Sequence, residues 1–299
     1  MTTAEVSPVR NRLLLMGAAL LFSTGGAAIK AATLTGWQVA SFRSGVAALA
    51  MLAVLPEARR NWSWRLLPVG VAYAATLVLF VLATRLTTAA SAIFLQSTSP
   101  LYLLLLGPWL LREPVRRSDL LYVLAVAGGM LLLLRGSEPA LATAPDPHSG
   151  NLLGLASGLA WALTVTGLRW LGRSGAGNGA LAPVAAGNVL AFLAALPMAL
   201  PLTKISGSDV AVILYLGVAQ IGLAYVFLTR AIRHVPAFEA TTVLLLEPVM
   251  NPIWAWIVQA EKPGPWALGG GAVILSATLL NTWRHAQRAR GKDYSLAQR

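Results

Sequence analysis

Cysteine is absent from the 299 residues, which excludes disulfides, thiolate metal sites and cysteine nucleophiles. Histidine is scarce: His148, His234 and His285 stand far apart, in gaps between apolar runs or in the tail, without metal-ligand spacing. Charge is scarce too, at 11% of residues against the roughly 25% that a soluble domain carries. A water-facing surface cannot be built from so few, so a soluble globular fold is excluded. Also missing are a Walker loop, a Rossmann glycine fingerprint in strand–helix context and a nucleophile elbow. ATP hydrolysis and the commoner hydrolytic and redox chemistries therefore have no carrier, and no cofactor or metal is expected. A net charge of +12 would suggest nucleic acid in a soluble chain. Here the basic residues sit in short clusters between apolar runs, so no nucleic-acid partner is expected.

What is present is apolar length, with 57% hydrophobic residues and a mean hydropathy of +0.67. A helix needs roughly 20 apolar residues to cross a bilayer. Ten stretches qualify, at about 13–32, 38–55, 66–84, 87–111, 119–134, 151–171, 181–200, 209–229, 237–259 and 265–283. Proline, glycine and charged residues separate most of them, as at Pro56-Glu57, Pro201 and Pro263-Gly264-Pro265. The first stretch follows Arg10 and Arg12 as a secretory leader would, but it runs through Gly25-Gly26 to Lys30 without a small-residue cleavage site. It is read as a retained span. Lys and Arg then partition sharply, with seventeen in the N-terminus, the even-numbered gaps and the tail. Five fall in the odd-numbered gaps (Lys30, Arg85, Arg135, Lys204, Lys262), and Arg43 lies inside a span. Basic residues accumulate on the cytoplasmic side, so both termini are expected there. One missed or invented span would scramble the alternation, which supports ten.

A mid-span proline followed by a terminal glutamate occurs twice, in Gln96-Ser-Thr-Ser-Pro100 to Glu113 and in Leu244-Leu-Leu-Glu-Pro248 to Glu261. Both landmarks keep an offset of 148, which also sets Ala83 on Ala231 and Arg85 on Arg233. An offset of 139 sets Phe22 on Trp161 and Lys30 on Arg169. Five spans is an odd number, so the second copy must enter the membrane from the opposite face. The expected fold is an all-α membrane protein with ten transmembrane helices in two inverted five-helix repeats. Residues 1–135 form the first repeat, 136–150 an external linker, 151–283 the second repeat and 284–299 a basic cytoplasmic tail.

On these residues the chain resembles the drug/metabolite transporter superfamily, specifically its ten-helix EamA-type exporters. The similarity lies in the two halves, in Pro100 followed by an apolar run to Arg112-Glu113, and in Glu247-Pro248-Val249 followed by Glu261. Arg112 and Ala260 depart from the glycine that usually precedes those glutamates. Overall the chain is most similar to the branch that exports aromatic and neutral amino acids. The resemblance implies a secondary transporter of a bacterial cytoplasmic (inner) membrane, with a substrate site between the halves exposed alternately to each side.

Polar groups inside spans need a reason. Glu247 falls near the midplane, where a carboxylate is costly unless it is paired or reaches water. Asn251 and Trp254 share its helix face, and Pro248 leaves the carbonyl of Leu244 without its usual donor. A carboxylate beside a bend can bind an ammonium or a proton; the alternative is a structural group tied to Arg43 or to freed backbone. In the first half Gln96, Ser99 and Pro100 share a face that either orients a zwitterion or holds helices together. Phe22, Tyr73, Phe80, Trp161, Tyr225 and Trp254 lie deeper than the interfacial tryptophans and either stack a flat substrate or only pack. Arg43 is expected to snorkel outwards or join a structural ion pair rather than meet a substrate carboxylate, and Lys30 is similar. Pro100, Pro248, Gly25 and Gly26 are the expected bends. Gly128-Gly129 and Gly269-Gly270-Gly271 are expected to serve packing of the fifth and tenth spans, which look like scaffold or the surface of a homodimer. The partners are thus a small-molecule substrate and the lipid bilayer. Export of small amphipathic metabolites, foremost amino acids, is the expected function. A multidrug or nucleotide-type exchanger of the same fold and a membrane-embedded enzyme or scaffold are the rivals.

Overall fold

The computed structural model describes residues 8–60, 62–110, 117–135, 141–173, 181–202, 205–231 and 234–297. Arg112, Glu113 and residues 136–140 of the expected linker lie outside them. Apolar sequence destined for lipid must satisfy its backbone polar groups internally, and a helix does so within one segment. Accordingly the described residues form helices and no strand beyond an isolated bridge between Leu141 and Ala144.

The helices are α1 (Pro8–Ser23), α2 (Gly25–Ala31), α3 (Gly36–Val54), α4 (Pro56–Arg59), α5 (Leu66–Leu86), α6 (Ala89–Gln96), α7 (Ser99–Leu110), α8 (Arg117–Arg135), α9 (Pro147–Arg173) and α10 (Leu181–Ala199). Then come α11 (Gly207–Leu214), a π-helical segment (Tyr215–Leu223), α12 (Ala224–Ala231), α13 (Ala237–Leu244), α14 (Leu246–Gln259) and α15 (Pro265–Ala297). Seven stretches are long and apolar enough to cross a membrane: Val9–Ala31, Gly36–Val54, Leu66–Leu86, Ala89–Leu106, Pro147–Leu171, Leu181–Ala199 and Gly207–Ala231. They coincide with the first to fourth and sixth to eighth expected spans. The fifth is the shorter apolar helix Leu120–Arg135, the ninth is divided between α13 and α14, and the tenth is the first part of α15. Among the described residues the protein is all helical apart from that bridge, and it is a multi-pass membrane protein.

Two helix breaks obey one rule. A proline has no N–H for the carbonyl four residues back, yet it fits the first turn of a new helix. Counting back four from Pro100 gives Gln96, the last residue of α6; counting back four from Pro248 gives Leu244, the last residue of α13. Both prolines sit in the first turn of the next helix, α7 and α14. The break between α1 and α2 falls at Thr24, just before the glycine pair. There the hydroxyls of Ser23 and Thr24 donate to the carbonyls of Leu20 and Leu21, each at 2.7 Å, the local competition that bends helices.

Packing places α5 on α9 and α12 on α1, with α10 against α3 and α15 against α8. A Cβ on Gly129 would stand 2.8 Å from the Gly270 carbonyl, so α8 and α15 meet backbone to backbone, as small residues at membrane interfaces allow. Buried polar ties gather at the Lys30 end of the bundle. The Lys30 ammonium meets Glu261 at 2.7 Å with both side chains almost fully enclosed, and it also donates to the carbonyls of Thr87 and Thr143. Glu261 in turn accepts the Ala89 N–H at the start of α6, at 2.6 Å. Lys30 therefore takes the ion-pair course and does not snorkel. Removing either partner would strand a buried charge at a cost of about 3–5 kcal/mol. At the Arg12 end the tie between Arg12 and Glu239 is exposed.

Candidate functional site

A cavity of about 300 Å³ opens where the helix breaks converge. Its aromatic wall is a chain of rings. Phe22 and Tyr225 meet edge-on with centroids 5.2 Å apart, Tyr225 and Tyr73 edge-on at 5.7 Å, and Tyr73 and Trp161 tilted at 6.4 Å. Such edge and tilted contacts are the favoured aromatic geometries, so the wall is self-supporting, and Phe80 extends it. Tyr73 fits only because its neighbour on α10 is Gly187, where a Cβ would come within 2.5 Å of the ring.

The polar side is built at the breaks. Gln96, Ser97, Ser99 and Pro100 line the cavity from the α6–α7 break, and Leu244, Leu245, Glu247 and Pro248 line it from the α13–α14 break. Gln96 is held in place: its amide donates to Ser157 at 2.7 Å, and Ser157 donates to the Thr76 carbonyl at 3.2 Å. Gly158 lets α9 approach that break, since a Cβ there would lie 3.0 Å and 3.1 Å from the carbonyls of Leu95 and Gln96. Glu247 is half-buried and makes no ion pair among the described residues.

Eight of the ten side chains expected from sequence thus share one cavity: Phe22, Tyr73, Phe80, Gln96, Ser99, Trp161, Tyr225 and Glu247. Asn251 and Trp254 do not line it. They lie further along α14, where that helix packs on α1 and α2. Asn251 is buried against Gly26, a Cβ on which would fall 2.4 Å from its Oδ1, and the Trp254 indole donates to Ser23 at 3.0 Å. Gly25 and Gly26 serve close approach, for a Cβ on Gly25 would stand 2.9 Å from the Gln220 amide nitrogen. The tie from Glu247 to Arg43, one form of the structural alternative, is not made among the described residues.

Other lining residues were not expected. Arg43, Thr76, Ser97, Gln220 and Thr278 also face the cavity. Gln220, on the π-helical segment, had a legible signal as a lone amide among apolar residues, and its Nε2 reaches the Phe22 carbonyl at 3.5 Å. Such π-helical turns frequently mark functional sites. Thr76 and Thr278 had none: both hydroxyls bond back to their own helices, at 2.9 Å and 2.8 Å, as threonines in any span do.

Membrane-crossing helices around an aromatic cavity that holds charges of both signs have the form of a small-molecule carrier. The sequence profile of the EamA-like transporter family matches residues 11–135 and again 148–283, and the chain belongs to that family. It is a membrane transporter of the drug/metabolite superfamily and not an enzyme. Among curated proteins it is similar to the pseudopaline exporter CntI of Pseudomonas aeruginosa, in strain UCBPP-PA14 and in strain PAO1. Each is 26% identical over 279 residues, spanning 89% of this chain and 94% of the relative. A crystal structure of a protein 21% identical superposes with a TM-score of 0.59, over 93% of this chain and 99% of that one; that likeness concerns the fold alone.

Proposed function

We propose that the protein exports small amphipathic metabolites, foremost aromatic or neutral amino acids, by alternating access across the bacterial inner membrane. The observation that carries this is the pairing of a half-buried Glu247, without an ion pair, with a wall of aromatic rings in one cavity. Glu247 receives the substrate ammonium, the rings receive its side chain, and Gln96 and Ser99 orient it. A volume of about 300 Å³ lies at the small end of the roughly 300–1,000 Å³ usual for ligand sites, which suits an amino acid. Outward transport is supported by the relatives, which are exporters.

Alternating access rests on ten spans in two inverted halves with both termini cytoplasmic. The double family match, with its gap between 135 and 148, supports the division into two repeats and a linker. So does the cavity itself, because Tyr73 and Ile221, Leu77 and Tyr225, Phe80 and Leu228, Ser99 and Glu247, and Pro100 and Pro248 all line it in the register set by the 148 offset. A nucleotide-type cargo fits less well, since Arg43 is the one cation among the residues named on the cavity wall. The leucine-rich outer faces of α8 and α15 are the surface for a homodimer.

Flux of labelled L-phenylalanine and L-leucine through proteoliposomes tests the function. Glu247→Gln removes a charge-assisted hydrogen bond of about 1.5–3 kcal/mol, so flux at low substrate should fall roughly 10- to 100-fold. Absence of any amino-acid flux in the unaltered protein would sink the substrate class.

A further inference from the structure

Arg43 differs from Lys30 and Asp209, two other charged side chains enclosed in the bundle. Lys30 has Glu261, and Asp209 is satisfied by the Thr33 amide and hydroxyl at 2.7 Å each. Arg43 is only 2% exposed, and no described carboxylate pairs with it. One Nη2 donates to the Leu77 carbonyl at 3.0 Å, while its Nε is buried without a partner. A guanidinium carries five donors in a rigid fork and stays charged, and stranding that charge away from water costs several kcal/mol. An arginine that served packing alone would gain by reaching the interface or a carboxylate, and this one does neither. It lines the cavity instead.

Its place is fixed from behind. Gly217 of the π-helical segment lets that segment close on α3, because a Cβ there would lie 2.8 Å from the Arg43 carbonyl and 2.5 Å from Val46. Arg43 and Glu247 line the same cavity, and no ion pair joins them. The two opposite charges therefore stand in one cavity without touching, and each lacks a protein counter-ion. A ligand that carries both signs neutralises both at once. A polyanion is repelled by Glu247, and a cation without a carboxylate is repelled by Arg43.

We propose that Arg43 is the specificity-determining residue that receives a carboxylate of the substrate, so that the cargo is a carboxylate-bearing zwitterion. This rests on the transport function above and narrows it. The planar fork favours bidentate capture, which lysine cannot copy.

The test is ligand binding by the purified full-length protein in detergent, read as the thermal unfolding midpoint and as intrinsic tryptophan fluorescence. Probes are L-phenylalanine, L-leucine and phenylacetate, against L-phenylalaninamide and phenethylamine, which lack the carboxylate. In the unaltered protein L-phenylalanine and L-leucine should raise the midpoint most, phenylacetate should raise it less because it leaves Glu247 unmatched, and the two probes without a carboxylate should not raise it. Arg43→Gln should weaken the L-phenylalanine response at least tenfold, and Arg43→Lys should retain part of it. Should Arg43→Gln fail to fold, Arg43→Lys and the carboxylate-to-amide comparison in the unaltered protein still decide. No response to any carboxylate, equal responses to L-phenylalanine and its amide, or an undiminished response in both variants overturns the proposal. Carboxylate binding that depends on Arg43 without liposome flux would fell the proposed amino-acid export and leave this assignment standing. Flux of L-phenylalanine untouched by Arg43→Gln would do the reverse.

Discussion

At the scale of single residues, the molecule separates side chains that share a face on paper. Glu247 and Asn251 are one helical turn apart, yet one opens on the cavity and the other is buried against Gly26. That contact is testable. Gly26→Ala forces a Cβ to within 2.4 Å of Asn251 Oδ1, an overpacking worth about 1–3 kcal/mol, so the thermal midpoint should drop. Asn251→Ala on its own should be close to neutral, since neither polar atom of that side chain has a partner among the described residues and a buried unsatisfied group contributes nothing by remaining. Combined, the two changes should recover most of the loss, because the residues touch and their effects are not additive. Additive losses in the double variant would refute the contact.

At the scale of elements, the two prolines matter by what they withhold. Neither offers an N–H, and each break begins at the residue whose carbonyl would have received it. Pro248→Ala restores a donor for Leu244, and α13 and α14 should then fuse into one helix. Slower amide exchange over residues 244–248, together with a several-fold loss of amino-acid flux, is the expected outcome by exchange mass spectrometry and liposome assay. Unchanged exchange would mean that tertiary contacts, and not the proline, hold the break open. The break at Thr24 shows that proline is not the sole device, since there two hydroxyls bond back to their own helix.

At the scale of the whole molecule, topology is the quantity to measure, and the absence of cysteine makes it directly accessible. A single cysteine at the exposed Glu57, in the second gap, should react with a membrane-impermeant maleimide only from the cytoplasmic side. One at Ile205, 46% exposed in the seventh gap, should react only from outside. Reaction of both from one side would overturn the inverted arrangement. In the proposed repeat, the register that pairs Pro100 with Pro248 also pairs Ser99 with Glu247, so the carboxylate would come from the second half alone.

The sequence by itself determined the class and much of the course of the chain. Apolar runs dictate helices because lipid offers the backbone no other partner, and the two prolines are local instructions that need no distant contact. Eight cavity residues were legible as candidates: the polar ones because a polar group deep in a span needs a reason, the aromatic ones by their depth alone, which packing would have explained as well. Only the tertiary structure decided which enclosed charges find partners. Lys30 and Glu261 are 231 positions apart and meet, whereas Arg43 and Glu247 do not. Likewise Asn251 and Trp254 were taken from the cavity by α1 and α2, which glycine lets pack against α14. A side chain's helix face follows from its own spacing, but what stands opposite that face depends on helices brought together from far along the chain.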